Sequence, residues 1–170
     1  IDKKGKIVVK PQFGFIKHSS EGMMEVEIGG KWGFIDKTGK MVIKPQRQNS
    51  FDYFSEGLIR IEINKKYGYM DKTGKVVIKP QFDFVGPFHR GVAFYLVGKK
   101  YGIINKNGDP ILRPTFDEVV DFSEGVAFVR VGREWGSIDT RGKYISRQKK
   151  TYKEPGGGMV WAMFSVVKLG

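Results

Sequence analysis

The chain has 170 residues, of which 40% are hydrophobic and 14% aromatic, and it contains no cysteine. This length and apolar content predict a globular domain with its own core and exclude a disordered chain. The lack of cysteine excludes disulfides, thiolate catalysis and cysteine-based zinc sites. Thirty Lys and Arg against 18 Asp and Glu give a net charge of +12, which attracts anionic partners such as nucleic acid, anionic lipid or acidic polysaccharide.

Two features of the chain bear on its location. The longest apolar run, 159–164, is far shorter than the roughly 20 residues that a membrane helix needs, so no segment is predicted to span a bilayer. The first residue is Ile1 and not Met, which predicts a processed or truncated chain and leaves the compartment open. We favour an exported or cell-surface location over the cytoplasm.

A repeat organises the sequence. Turn glycines at Gly5, Gly39, Gly74, Gly108 and Gly142 are separated by 34, 35, 34 and 34 residues. A period of this length is typical of arrays in which each copy is one small structural unit. The five predicted units lie near 1–30, 31–65, 66–99, 100–133 and 134–170.

Each unit contains a turn of the form Asp-x-x-Gly, with Asn105 in place of Asp in the fourth, such as the DKTGK that begins at Asp36. The Asp side chain accepts hydrogen bonds within such a turn and the Gly adopts a left-handed conformation, which predicts a short β-hairpin. In the second unit the strands of this hairpin are predicted at 32–36 and 40–44. We expect the proline that follows, Pro45, to end the second strand because it has no N–H for the ladder.

A third strand is predicted after a loop that carries aromatic residues and ends on a second glycine. In the first unit Met24, Val26 and Ile28 alternate with two glutamates, and this period of two is expected of a half-buried strand. Glycine and proline recur too often for a long helix. Each unit is therefore predicted to contain three strands and no helix.

One unit is too small to bury its apolar strand faces alone, so successive units must pack on one another. We predict an all-β protein whose tandem three-stranded repeats form an open superhelical, solenoid-like array. The alternative is a closed, propeller-like ring, in which the first and last units would meet.

The tripeptides that begin the later units resemble a known repeat. They read Lys31-Trp32-Gly33, Lys66-Tyr67-Gly68, Lys100-Tyr101-Gly102 and Glu134-Trp135-Gly136. With the recurring DKTGK, IKPQFD and FSEG, residues 1–145 are similar to the bacterial WG-repeat family, also called KWG repeats. Residues 146–170 are predicted to be a degenerate last unit with an apolar terminal strand, because Gln148 replaces the proline and PGGG replaces FSEG. The resemblance implies an all-β repeat domain with a binding or sensing role, no established enzymatic activity and no catalytic residues.

Two columns of repeated residues are candidates for binding. The tandem aromatics are candidates for a stacking platform for sugars or bases, or they pack against the neighbouring unit, which we favour. They are Trp32, Tyr67, Tyr101 and Trp135. A basic residue also precedes the proline in each of the first four units. Stacked units would align these charges either as a ladder for a polyanion or as a solvated edge that prevents aggregation. This column comprises Lys10, Lys44, Lys79 and Arg113.

The second face of the third strands becomes apolar toward the C-terminus. It carries glutamates in the first unit but large apolar residues in the later ones, which indicates either burial or a patch for self-association. The candidates for self-association are Phe94, Phe128, Trp161, Met163 and Phe164. The apolar strand that begins at residue 159 is predicted to pair with a sheet edge, in its own unit or in a neighbouring molecule.

The sequence shows no constellation for catalysis or metal binding. His18 and His89 are its only histidines, and neither has partners at a spacing that builds a general base or a metal site. No nucleotide-binding glycine motif or nucleophile elbow occurs. We therefore predict no metal, no cofactor and no enzyme activity.

These observations lead to a ranked set of functions. We predict a non-enzymatic repeat scaffold that binds protein, including itself in an oligomer or fibre. A module that binds a polyanion or a surface polysaccharide is the alternative, supported by the +12 charge and the basic column. An uncharacterised enzyme is the third hypothesis.

Overall fold

In a computed structural model, residues 13–47 and 52–148 are described, and they form 15 β-strands and no helix. The strands belong to four antiparallel sheets that follow one another in chain order. Within each sheet every strand pairs with the next along the chain, so the sheets are simple meanders. The sheets are arranged openly and do not close into a barrel, which confirms the predicted all-β tandem fold.

The strand bounds are as follows. The first sheet contains β1 (Phe15–Ser20), β2 (Met23–Ile28), β3 (Lys31–Asp36) and β4 (Met41–Arg47). The second contains β5 (Leu58–Ile63), β6 (Lys66–Asp71) and β7 (Val76–Phe82). The third contains β8 (Phe84–Val85), β9 (Val92–Val97), β10 (Lys100–Asn105) and β11 (Pro110–Phe116). The fourth contains β12 (Glu118–Ser123), β13 (Val126–Val131), β14 (Glu134–Asp139) and β15 (Tyr144–Gln148).

The sheets are out of phase with the sequence repeat. Each four-stranded sheet takes its first two strands from one predicted unit and its last two from the next, as β12 and β13 precede residue 134 while β14 and β15 follow it. The segment predicted to be an aromatic loop contributes the extra strand, β1, β8 or β12. A pairing as short as the two residues of β8 leaves no periodic signal in the sequence.

The proline lies inside the last strand of a sheet and does not end it, contrary to the sequence prediction. Pro80 is within β7, and the pairing advances from Ile78 to Phe82 along β7 while it advances only from Tyr69 to Tyr67 along β6. This irregular register is a bulge, where the ladder needs no N–H from the proline. Pro45 and Pro114 lie within β4 and β11 in the same way.

The glycine after each tandem aromatic makes this bulge possible. A Cβ atom at Gly68 would lie 2.3 Å from the carbonyl oxygen of Ile78 and 2.7 Å from the nitrogen of Pro80. Gly33 and Gly102 meet the equivalent carbonyl oxygens at 2.4 and 2.5 Å. Any side chain at these positions would therefore push the last strand away from its sheet.

Consecutive sheets pack face to face and share a core between them. Residues of the first and second sheets form one apolar cluster: Met23, Phe34, Ile43, Ile59, Ile61 and Met70. The second and third sheets share Leu58, Tyr69, Ile78, Ala93, Tyr95 and Ile104. The third and fourth share Val92, Phe94, Ile103, Ala127, Val129 and Ile138. The need to bury strand faces therefore links each sheet to the next.

One glutamate lies in such a core. Glu25 is only 3% exposed, and it pairs across the strands with Phe34, so both side chains belong to the face that packs on the second sheet. The simple alternation of apolar and solvated residues predicted for β2 therefore fails at Glu25.

The turns have the predicted chemistry. The Asp71 carboxylate accepts hydrogen bonds from the N–H groups of Thr73 and Lys75, at 2.8 and 3.1 Å, and from the Thr73 hydroxyl at 2.6 Å. Gly74 has φ = +84°, in the left-handed region. The hydrogen bond from the Thr73 hydroxyl is the largest cause that lowers the pKa of Asp71. The repeated Asp is therefore a structural residue of the turn.

Candidate interaction surfaces

Two glutamates, in the turns before β2 and β5, connect one sheet to the next through hydrogen bonds and ion pairs. The Glu56 carboxylate accepts a hydrogen bond from the Gly91 N–H at 2.9 Å and lies 3.0 Å from the Lys106 ammonium. Glu21 contacts Gly57 and Lys72 in the same way, at 2.8 and 3.0 Å. These two carboxylates therefore link the second sheet to the third and the first to the second.

The pKa of Glu56 reflects two opposed effects. Burial is the largest and raises the pKa, but hydrogen bonds from Lys106 and Gly91 and the charge of Lys106 lower it, and the net pKa is below its usual value. The pKa of Glu21 is lowered for the equivalent reasons. Both groups are thus charged at neutral pH, as an ion pair requires.

The third and fourth sheets lack this contact between a glutamate and a lysine. Arg90 occupies the position of Glu56, and Thr140 occupies the position of Lys106. Arg90 contacts Glu124 at 3.5 Å, and the Glu124 side chain is 92% exposed. An ion pair this exposed contributes little to stability.

A second set of ion pairs lies at the boundary between the second and third sheets and at that between the third and fourth. Lys66 lies 2.7 Å from Asp83, whose other oxygen accepts a hydrogen bond from Gly98 at 2.6 Å. Lys100 and Asp117 repeat this arrangement at 2.7 Å between the third and fourth sheets. The first lysine of these Lys-aromatic-Gly tripeptides is therefore neutralised by a partner in the next sheet.

The aromatic column lies at the margin of the cores. Trp32, Tyr67 and Tyr101 are half-buried and pack against the apolar clusters of their sheets. The Tyr67 ring meets the Phe84 ring at 5.8 Å, and the Lys17 ammonium lies 4.8 Å from the Trp32 ring centre. Trp135 is also half-buried. This placement serves packing between units, and binding through these four residues stays a prediction.

The basic column lies on the last strands. Lys44, Lys79 and Arg113 are exposed on β4, β7 and β11, each directly before the proline of its bulge. Lys10 lies outside the described residues. The three described members therefore occupy equivalent places in three consecutive sheets.

Phe94 belongs to the core and not to a surface for self-association. It is 2% exposed, and its ring stacks on that of Phe122 with 4.8 Å between centres and 11° between planes. The apolar character of this strand face thus reflects the packing of the fourth sheet on the third. Phe128 is half-buried. Trp161, Met163, Phe164 and the predicted terminal strand lie outside the described residues.

The three most exposed large apolar side chains of the described residues lie where the first and second sheets begin. We call this side the first-strand edge, formed by β1, β8, β12 and the segment 52–57 that precedes β5. Its exposed apolar residues are Phe15 at 68%, Ile16 at 59%, Tyr53 at 59%, Phe84 at 39% and Val120 at 43%. The sequence predicts loops for these residues, so the predicted strands do not indicate this edge. One feature of the sequence does point to the edge: an apolar residue recurs shortly after each proline.

Among the described residues, no three or more His, Asp or Glu side chains come together as ligands for a metal ion. In the same part of the chain, no helix has the length and apolar character to cross a membrane.

A family model described as WG containing repeat matches residues 1–32, 32–67, 67–101 and 101–135. The chain belongs to the WG-repeat family. The boundaries of the matched repeats fall on the aromatic residues of β3, β6, β10 and β14, so the repeats at 32–67, 67–101 and 101–135 each join parts of two sheets. No curated protein matches the sequence.

Two solved structures are similar to this WG-repeat chain. One is Kluyveromyces lactis Hsv2p, with 10% identity and a TM-score of 0.46 over 75% of this chain, which spans only 46% of that one. The other is a plant lectin with two metal binding sites from Cicer arietinum, with 13% identity and a TM-score of 0.32 over 85% of this chain and 92% of that one. At these TM-scores, neither similarity adds to what the sheets of this chain show about its fold.

Proposed function

We propose that this WG-repeat array is a non-enzymatic scaffold that binds protein, including a second copy of itself, along the first-strand edge. The observation that carries the proposal is the exposure of apolar side chains on that edge, led by Phe15 and Ile16 at 68% and 59%. Strands at a sheet edge present backbone N–H and C=O groups, and apolar side chains beside them favour pairing with another strand.

The repeated residues support a scaffold and not a catalyst. Asp71 is used by its turn, Gly68 by the close approach of β7, and Glu56 by the contact with the next sheet. Each has a structural partner, so the recurrence of these residues needs no shared chemistry.

Sedimentation velocity over a range of concentrations tests the proposal. We expect the full chain to associate as concentration rises and a variant with Phe15→Ser and Ile16→Ser to associate less, because the substitutions remove apolar area from the edge. Ile145→Ser is the matched control, since Ile145 is 52% exposed on β15, at the opposite edge.

Association that is the same in the double variant, or a chain that stays monomeric and retains no protein partner, would contradict the proposal. Loss of association in the Ile145→Ser control alone would place the binding surface on the other edge.

A further inference from the structure

The edge opposite the first-strand edge has a different charge. Each sheet ends there on its last strand, β4, β7, β11 or β15, and we call this side the last-strand edge. These strands and the residues that lead into them contain one acidic residue, Asp109, although acidic residues are common elsewhere in the chain. The segments concerned are 40–47, 75–82, 109–116 and 143–148.

Three cations on this edge form no ion pair among the described residues. Lys44, Lys79 and Arg113 are exposed, and within residues 13–47 and 52–148 none of them forms an ion pair. Lys66 and Lys100, by contrast, are held by aspartates at 2.7 Å. These three side chains therefore present positive charge that no ion pair within the described residues offsets.

The stacking of the sheets sets the spacing of these cations. One lies at the same position in each of three sheets that pack face to face, and packed sheets are about 10 Å apart. Charges repeated at this interval form a row that an extended polymer with regularly spaced anionic groups can follow.

The side chains between the cations indicate which polymer fits. The exposed large apolar residues of the described last strands are all aliphatic: Val76, Val77, Ile111 and Ile145. Single-stranded nucleic acid binds to platforms of exposed aromatic rings, on which its bases stack. An acidic polysaccharide can bind through its anionic groups alone, by contact with the row of charges.

We propose that the last-strand edge binds a linear acidic polysaccharide through Lys44, Lys79 and Arg113. This site lies on the other edge from the proposed protein-binding surface, so either proposal can fail without the other. Each of the three side chains contacts one anionic group of the polymer, and binding weakens as salt concentration rises.

The test compares two triple variants of the full chain for binding to heparin, a sulfated polysaccharide. The first variant carries Lys44→Gln, Lys79→Gln and Arg113→Gln. We expect its affinity at physiological salt to fall by about tenfold or more, and the dependence of log K on log salt to lose about three units of slope, one for each lost contact.

The control carries Lys65→Gln, Lys99→Gln and Arg133→Gln. These side chains are also exposed, one per sheet, but they lie in the turns before β6, β10 and β14. The control loses the same number of charges, so we expect its affinity to change less than about threefold if position and not net charge decides binding.

Three results would overturn the proposal: equal weakening of both variants, no weakening of the first, or no binding of heparin by the unaltered chain at physiological salt. Tighter binding of a single-stranded oligonucleotide than of heparin would show that the partner is a nucleic acid. Circular dichroism melting of both variants checks that the fold is retained.

Discussion

The Lys106 ammonium lies 3.0 Å from the Glu56 carboxylate, across the boundary between the second and third sheets. The same lysine also donates a hydrogen bond to the backbone carbonyl of Glu56 at 3.0 Å. Because Glu56 has a positive φ of 51°, the turn presents its carbonyl and its carboxylate to the next sheet together. The second and third sheets, which share an apolar core, are thus also aligned by this polar contact between Lys106 and Glu56.

Glu56→Gln should destabilise the array by about 0.5–1 kcal/mol at pH 7, because the amide can still accept the Gly91 hydrogen bond but no longer pairs with the charge of Lys106. The pKa of Glu56 is lowered in the folded state, so its charge stabilises the fold above the unfolded value of 4.5. That contribution is lost as pH falls through the lower folded pKa.

Urea unfolding at pH 7 and pH 3 measures this effect, and the difference between variant and parent should shrink at pH 3. Glu124→Gln is the control, since its exposed carboxylate lies 3.5 Å from Arg90 and should change little at either pH. A difference that is the same at both pH values would show that the Glu56 charge does not stabilise the fold.

Gly68→Ala should lower the free energy of unfolding by about 3 kcal/mol, because the new Cβ would lie 2.3 Å from the Ile78 carbonyl oxygen. Chemical denaturation provides the measurement. Gly29→Asn is the control: nothing lies within 4 Å of its Cβ position, and Asn64 occupies the equivalent turn position with a φ of 52°. If both variants were equally stable, the close approach of β7 would not be what requires glycine.

Asp71→Ala should cost about 1 kcal/mol through the loss of the hydrogen bonds from Thr73 and Lys75. Asp71→Asn should cost much less, because Asn105 holds the equivalent turn with bonds of 2.9 Å to the N–H groups of Asn107 and Asp109. Thermal melting of both variants distinguishes them. An Asn variant as unstable as the Ala variant would show that the turn requires the negative charge of Asp71.

Phe94→Ala should destabilise the protein by about 3–5 kcal/mol, because it leaves a cavity beside Phe122 between the third and fourth sheets. Phe15→Ala should stay within about 0.5 kcal/mol of the parent, since Phe15 is 68% exposed. Denaturant unfolding reports both values. If the Phe94→Ala variant were stable and its self-association changed, Phe94 would have to lie on the protein surface and not in the core.

The features that the sequence predicted are local ones. The turn at Asp71 and the hairpin around it follow from the chemistry of a few consecutive residues, and they appear as expected. The fate of Pro80 was mispredicted because a bulge depends on the partner strand and on Gly68, which stand earlier in the chain.

Contacts between sheets were harder to foresee because they join residues far apart in the chain. Glu56 and Lys106 are 50 residues apart, and the repeat spacing alone does not indicate that they meet. One signal was present: where Arg90 replaces the glutamate, Thr140 replaces the lysine. Paired replacement at a fixed offset within one repetitive chain indicates contact.

The offset between repeat and sheet restricts how this protein can be dissected. A fragment cut at the family boundaries, such as 32–67, would carry β3 and β4 without the strands that complete their sheet, and β5 with only the beginning of β6. A fragment that starts at residue 83 and stops at 148 would instead hold the third and fourth sheets whole, together with the core that they share. Because one sheet cannot bury its apolar faces alone, two sheets excised in phase are the smallest fragment that we expect to fold.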